Sequence, residues 1–223
     1  VHLNLTSMQP IGPLQVSVRD AHGNLVPVDY NISATLGFVM HPSGFVMQGK
    51  LLGVTEAVAV AGTAHFPSLL IPTARVGYVL QFRHGTLHGQ TMAFTVKAGS
   101  CVRMSIQRQP EAAFAVQPFM HQPRLVILDL ANNTADVSVA VNVSLLRNSS
   151  HAGPHGGLQG TLHVLALAGV ATFTDLAIVQ VTASATLVFR AQWPCGFSTV
   201  AEPFQVMASM ATQLFIAAQP SEG

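Results

Sequence analysis

The eleven residues Ala61-Gly-Thr-Ala-His-Phe-Pro-Ser-Leu-Leu-Ile71 return as Ala168-Gly-Val-Ala-Thr-Phe-Thr-Asp-Leu-Ala-Ile178, 107 residues on and identical at six positions. A repeat of this kind decides architecture before any local propensity does, because each copy must correspond to one structural unit. Around it, in the same order in both copies, stand four further elements. They are a turn (Asp20 to Asn24, Asp129 to Asn133), a Gln-Gly step (Gln48-Gly49, Gln159-Gly160), a Leu-x-Phe-Arg run (Leu80 to Arg83, Leu187 to Arg190) and a closing Phe-x-Val (Phe94 to Val96, Phe204 to Val206). Gln-Pro pairs at Gln9-Pro10, Gln109-Pro110 and Gln219-Pro220 each close an apolar lead-in. The expected domains are therefore residues 1–99, residues 100–209, and residues 210–223 as the start of a third repeat.

Within each copy the apolar period is two. Val137, Val139, Val141, Val143 and Leu145 alternate with Asp136, Ser138, Ala140, Asn142 and Ser144, and Val28, Tyr30, Ile32 and Ala34 alternate with Asp29, Asn31 and Ser33. Such alternation turns one strand face to a core and the other to water. Short β-branched runs, punctuated by Gly, Pro and Asn and repeated over about 105 residues, predict an all-β fold: two tandem Ig-like seven-stranded β-sandwiches plus the first strand of a third.

The pattern resembles the tandem Ig-like repeats, bacterial-Ig and filamin-type, of large surface and adhesion proteins. Those repeats carry a Gln-Pro lead-in, a V-x-D-x-x-G-N turn, a Gly-Thr step, a G-V-A-T-F-x-x-L strand and a closing F-x-V. Here these read Gln109-Pro110, Val18 to Asn24, Gly160-Thr161, Gly169 to Leu176 and Phe204 to Val206. The resemblance covers essentially the whole chain and implies spacer or adhesive modules in an extended array. The first repeat departs from it in a shortened connection from Pro10 to Leu14 and in His65 and Pro67 within the signature strand, which puts that strand's edge pairing in question.

Composition removes several classes of function. Of 223 residues 49% are hydrophobic and 9% charged, against about 25% charged in ordinary soluble domains. Two Lys and eight Arg, scattered singly at a net charge of +1, offer no stripe to neutralise phosphates, so no nucleic acid is expected as partner. The best uncharged stretch, Ala57 to Ala74, is interrupted by His65, Pro67, Ser68 and Pro72; it is no spanning helix, and no membrane contact is expected of this segment. The opening at Val1, with Leu3 and Leu5 alternating, does not have the form of a signal peptide and reads as a segment of a longer polypeptide.

Candidate sites are modifications rather than catalytic centres. Five of the seven Asn stand in N-x-S/T sequons: Asn4, Asn31, Asn132, Asn142 and Asn148. Ser and Thr total 31 residues, so chance would place about one sequon. Clustering of polar turn residues accounts for Asn132 and Asn148 but not for Asn31 and Asn142, which fall 111 residues apart on the solvent phase of equivalent strands. N-glycans on these residues imply a secretory route and an extracellular or cell-surface location. In an Ig-like sandwich the start of the first strand and the loop between the last two strands lie at one end, which would let Cys101 and Cys195 meet in a disulfide; two separate buried thiols are the alternative.

His84/His88 and His151/His155 share i, i+4 spacing, which converges on a helix but separates side chains by about 13 Å in a strand. With no nearby Cys or carboxylate pair to complete a set, no metal is expected, and the dispersed acids give no calcium cluster. No catalytic motif is present, so no enzyme and no cofactor are expected. Trp193 and Tyr30 would suit a sugar-binding face, although a lone Trp more often packs in a core or junction. Outer faces so poor in charge call for cover. The expected partners are neighbouring Ig-like domains of the same chain, N-glycans, and homo- or hetero-assembly with other surface proteins. The sequence thus reads as a structural segment of a large extracellular glycoprotein, spacer and assembly element of a surface filament or stalk, with a displayed adhesion or carbohydrate-binding or protein-binding module as the alternative. Ala/Val/Leu/Gly-rich, Lys-poor usage together with sequons suits an algal or protist surface filament such as a flagellar hair.

Overall fold

The structure is a computed structural model that describes residues 4–40, 45–146 and 157–214; for residues 4, 39, 40 and 45–47 it describes the backbone. Every α-helical or strand element among the described residues is a strand, and the fold is an all-β sandwich. The chain forms two compact units. The first takes residues up to Val102 together with Leu128–Asp136, and the second takes Arg103–Ile127 and the chain from Val137 onward. The cut therefore differs from a simple boundary near residue 99: twelve residues that the repeat frame gives to the second copy, 100–102 and 128–136, belong to the first unit.

The first unit holds β1 (Asn4–Thr6), β2 (Leu14–Ser17), β3 (Asn31–Met40), β4 (Phe45–Gly49), β5 (Glu56–Val58), β6 (Thr63–Phe66), β7 (Arg75–His84), β8 (Leu87–Gln90) and β9 (Phe94–Lys97). One sheet runs β1-β9-β7-β3-β4, with β5 against β3 and β8 against β7, and β2 pairs with β6 in the other. Their inner faces meet in one core. Ile32, Ala34, Leu36 and Phe38 of β3, Tyr78, Leu80 and Phe82 of β7, and Ala64 and Phe66 of β6 are buried together. Each large apolar side chain so buried contributes about 1.5–3 kcal/mol. The edge pairing that His65 put in question is intact, because His65 points outward opposite Gln15 while Ala64 and Phe66 turn inward.

The second unit holds β10 (Arg103–Arg108), β11 (Ala113–Phe114), β12 (Arg124–Leu128), β13 (Val139–Leu145), β14 (Leu158–Gln159), β15 (His163–Ala166), β16 (Val170–Thr172), β17 (Ala177–Ile178), β18 (Thr182–Ala185), β19 (Leu187–Ala191), β20 (Ser198–Val200) and β21 (Phe204–Met207). Its pairings repeat those of the first. The parallel pair β1/β9 returns as β11/β21, β2/β6 as β12/β16, β3/β5 as β13/β15, and β7/β8 as β19/β20. The ring pair Phe66/Phe82, 5.3 Å apart at 51°, returns as Phe173/Phe189, 5.5 Å apart at 50°. Neither signature segment is one continuous strand: β6 ends at Phe66 and the chain pairs again through Leu70, as β16 gives way to β17.

One pairing of motifs needs correcting. Gly160 corresponds to Gly53 and not to Gly49. Gly53 and Gly160 have φ of +95° and +101°, and a Cβ on either would lie 1.8 Å or 2.3 Å from the carbonyl oxygen of the residue fifteen further on, Ser68 or Asp175. Gly49 has ordinary φ and faces the Leu36 side chain. The Gln-Gly dipeptide misled because Gln48 merely precedes a strand glycine, whereas Leu52-Gly53 supplies the left-handed corner that only glycine occupies without strain.

Candidate functional site

The most elaborate polar arrangement is built on a turn. Asp20 and Asp129 open identical Asx turns, in which Oδ1 accepts the backbone N–H groups two and four residues on and Oδ2 accepts the Asn amide four residues on. Asp and Asn favour such turns because a short polar side chain can take the place of a backbone partner. Around Asp20 the turn is exposed. Asp129, by contrast, is only 1% exposed.

Within the first unit, the Asp129 carboxylate accepts five hydrogen bonds. Ser7 Oγ (2.5 Å), Gly99 N–H (2.8 Å) and Asn133 Nδ2 (2.8 Å) donate to Oδ2, and the N–H groups of Ala131 (2.9 Å) and Asn133 (2.8 Å) donate to Oδ1. Ser7 is itself buried. The Asn133 amide extends the network, donating to the Pro72 carbonyl at 2.8 Å while its oxygen accepts the Ala74 N–H at 2.9 Å. Burial alone pushes the Asp129 carboxyl up, but the hydrogen bonds from Ser7, Asn133 and Gly99 together outweigh it and lower its pKa to about 2. A buried charge is tolerable only when paired or fully hydrogen-bonded, and here it is the latter. No donor set of this kind calls for a ligand; the arrangement is a structural hub.

The modification residues are distributed as follows. Asn31 opens β3 on the exposed side, and the hydroxyl of its sequon, Ser33 Oγ, donates to the Arg83 carbonyl at 3.3 Å. Asn142 in β13 is half-buried, and its Oδ1 accepts from His163 Nδ1 at 2.7 Å, which leaves the amide nitrogen unengaged by that contact. Asn132 is exposed, in the left-handed region at φ +69°, within the Asp129 turn. Asn4 lies in β1 with only its backbone described, and Asn148 falls outside the described residues, as do His151, His155 and Gln219-Pro220. Both cysteines are disulfide-bonded and neither is free. Cys101 precedes β10, and Cys195 sits in the turn from β19 to β20, so a further strand, β21, follows its hairpin.

Trp193 occupies that same turn and is 88% exposed, which corrects the expectation of a packed Trp: the turn joins β19 to the edge strand β20 and leaves the ring in solvent. His84 and His88 face each other's strands across the tight Gly85-Thr86 turn, not along a helix. His84 stacks on Tyr30 with ring centroids 4.2 Å apart and planes 9° from parallel, and its Nδ1 lies 2.8 Å from the Asn31 carbonyl. Among the described residues no group of three or more His, Cys, Asp or Glu is gathered as a metal site would require.

Beside this hairpin, between it and the end of β2, the first unit has an open cleft of about 260 Å³. Val16, Val18, Ile32 and Phe82 form its apolar wall, and Arg19, Arg83, His84 and His88 its polar rim. Ser7, Gly99 and Arg19 were not singled out by the sequence, and Arg83 only as the end of a strand motif. The recurrence of Arg in the Leu-x-Phe-Arg run was the one available signal, since an Arg following a core Phe must point away from the core.

Neither protein-family profiles nor curated proteins give a match to the chain. Solved structures do. The Escherichia coli adhesin FdeC is similar over 93% of this chain and 62% of its own, at 15% identity and a TM-score of 0.37. Domains 4 and 5 of the S-layer protein SbsC are similar over 93% of both chains, at 15% identity and 0.31. Beta-glucuronidase 3 of Bacteroides uniformis is similar over 89% of this chain but 23% of its own, at 10% identity and 0.33. The chain thus spans less than two thirds of the enzyme and of the adhesin.

Proposed function

We propose that this chain is a structural segment of a large extracellular glycoprotein, an Ig-like repeat array that serves as spacer and assembly element of a surface filament or stalk. One observation carries the reading: the first unit includes Leu128–Asp136, and the carboxylate in that segment is the hub of a five-donor network with Ser7 and Gly99. A unit completed by residues of the following repeat depends on that repeat to fold. This suits a tandem array better than a string of independent beads. The disulfide supports an oxidising compartment.

The assembly half of the proposal rests on repeated exposure. Val60, 70% exposed, and Leu167, 62% exposed, occupy equivalent bridge positions beside the edge strands β5 and β15. Val58 and Leu165 accompany them at the same register. Exposed apolar side chains repeated on successive edge strands invite edge pairing unless covered. A flagellar hair of an alga or protist is one filament that would bury them between chains.

Light scattering after size exclusion tests the reading on the 223-residue chain. Self-association should be present and should be lost in the double variant V60K/L167K, whose positions are too exposed to affect folding. In a native particle these side chains should be buried in interfaces of at least about 1,000 Å². A strictly monomeric chain whose Val60 and Leu167 stay open in the native particle contradicts the assembly role. The second reading, a displayed binding module, is favoured by the basic cleft, not by the surroundings of Trp193.

A further inference from the structure

We propose that the cleft between the end of β2 and the β7–β8 hairpin binds the anionic group of an acidic saccharide, a uronate carboxylate or a sulfate ester. The argument begins with charge. Arg19 and Arg83 both line the cleft, and no Asp or Glu does. The nearest acid in sequence, Asp20, is engaged by its own turn through the His22 and Asn24 N–H groups and the Asn24 amide. Arg19 is held in place by donating from Nε to Ser17 Oγ (3.1 Å) and from one terminal nitrogen to the Gly23 carbonyl (2.7 Å), which leaves donors of its fork unused. Arg83 is exposed on β7. Guanidinium-bearing residues in a cleft lining that holds no carboxylate match a planar or tetrahedral oxyanion.

The imidazoles narrow the ligand further. A carbonyl oxygen can only accept, so His84 Nδ1 carries the hydrogen toward Asn31, and His88 Nδ1 does so toward the Thr86 carbonyl at 3.3 Å. In the neutral ring Nε2 is then a bare acceptor. The cleft therefore offers cationic donors for an anion, acceptors for hydroxyl groups, and the half-buried Val16 and Val18 as a surface for an apolar ring face. A carboxylate side chain would use the first of these alone; an acidic sugar uses all three. The volume, about 260 Å³, falls just below the ~300–1,000 Å³ of pockets for drug-sized ligands, and suits a single sugar unit of a chain passing over the rim.

The repeat itself shows that the framework does not require these residues. The bridge Arg19–Leu25 corresponds to Leu128–Thr134, so leucine replaces Arg19 in the second copy. Counting from the equivalent Phe82 and Phe189, Ala191 replaces His84. Arg190 alone matches, at Arg83. The basic set is a feature of the first repeat only, superimposed on positions that the fold tolerates in apolar form.

The test is titration calorimetry of the 223-residue chain with trigalacturonate and with a sulfated heparin disaccharide as probes. Maltotriose serves as the neutral arm and hexaglutamate as the acidic-peptide arm. Binding of at least one acidic saccharide is expected, weakened about tenfold or more in R83A, the cost of losing a charge-assisted hydrogen bond. R190A should bind as the unaltered chain does. Gly89 lines the cleft and a Cβ there would meet nothing within 4 Å, so G89W should fold normally and abolish binding by filling the space. Preference for the carboxylate or the sulfate probe identifies which anion the cleft takes. The proposal is overturned if neither acidic saccharide binds, if maltotriose binds equally, if hexaglutamate binds more tightly than both, or if R83A and G89W, with near-UV spectra unchanged, bind as before.

Discussion

Replacing Asp129 by Asn puts the hub to a quantitative test. The substitution keeps shape and volume but exchanges a carboxylate oxygen for an NH₂ group. In one orientation the amide oxygen keeps the Ala131 and Asn133 N–H groups, and the new NH₂ then confronts Ser7 Oγ, Gly99 N–H and Asn133 Nδ2. The hydroxyl can rotate to accept; the other two donors cannot. The charge-dependent part of the loss follows from linkage. A carboxyl lowered from 3.8 to about 2 stabilises the fold by roughly 2–2.5 kcal/mol at neutral pH, at 1.36 kcal/mol per unit. Opposed donors add to this, since a buried unsatisfied donor costs about 1–3 kcal/mol. The expected total for D129N at pH 7 is therefore about 4 kcal/mol or more.

The pH dependence supplies the second arm. Because the folded value lies below the unfolded one, the stabilisation is complete above about pH 5 and is lost as pH falls from near 4 through about 2. D129N should lack that part of the acid limb. Urea unfolding followed by tyrosine emission is the assay, because both Tyr residues, Tyr30 and Tyr78, belong to the first unit and the lone Trp to the second. Separate probes matter where two units need not unfold together. A loss under about 1 kcal/mol in D129N at pH 7, or an acid limb identical in the two proteins, refutes the account.

Three further outcomes are expected. Peptides carrying Asn31 and Asn142 from natively sourced protein should shift in mass on glycosidase treatment; unshifted peptides would remove the secretory part of the proposed function. G53A and G160A should each destabilise their unit by more than about 2 kcal/mol, since a left-handed alanine costs about 1–2 kcal/mol and its Cβ would also collide with a carbonyl oxygen. G85A, with nothing within 4 Å of its Cβ, should cost clearly less by the same urea titration. Reduction of the Cys101/Cys195 disulfide should lower stability by up to about 4–5 kcal/mol in the chain-entropy account, read as a shift in the urea midpoint with and without reductant.

What the sequence reveals about this fold is whatever repeats in one dimension. Alternation in Val139 to Leu145 places Val139, Val141, Val143 and Leu145 in the core because a two-residue period is a property of the strand itself. Phe66 and Phe173 stand in the quoted segment and meet Phe82 and Phe189 from the Leu-x-Phe-Arg runs, so two motifs read separately turn out to be the two sides of one contact. The Gln-Gly step failed for a different reason. Dipeptide identity carries no φ, and the demand for a left-handed residue came from the approach of Ser68 and Asp175, a contact across fifteen residues. The cleft was hidden likewise, since Arg19 and Arg83 come to line one cleft only once β2 and β7 are brought together by the fold.

The two Asx turns isolate this distinction within one chain. Asp20 and Asp129 have the same local partners at nearly the same distances, and side-chain and backbone hydrogen bonds from Asn24 likewise lower the Asp20 carboxyl. Everything that a four-residue window can encode is therefore equal at the two sites. The difference is supplied by Ser7 and Gly99, 122 and 30 residues from Asp129 in sequence, which take the second carboxylate out of water. If the turn geometry alone were responsible for stability, D20N and D129N would behave alike. If the hub is responsible, D20N should leave the urea midpoint almost unmoved while D129N lowers it, and S7A should fall between them, because it removes one donor and leaves the carboxylate with four.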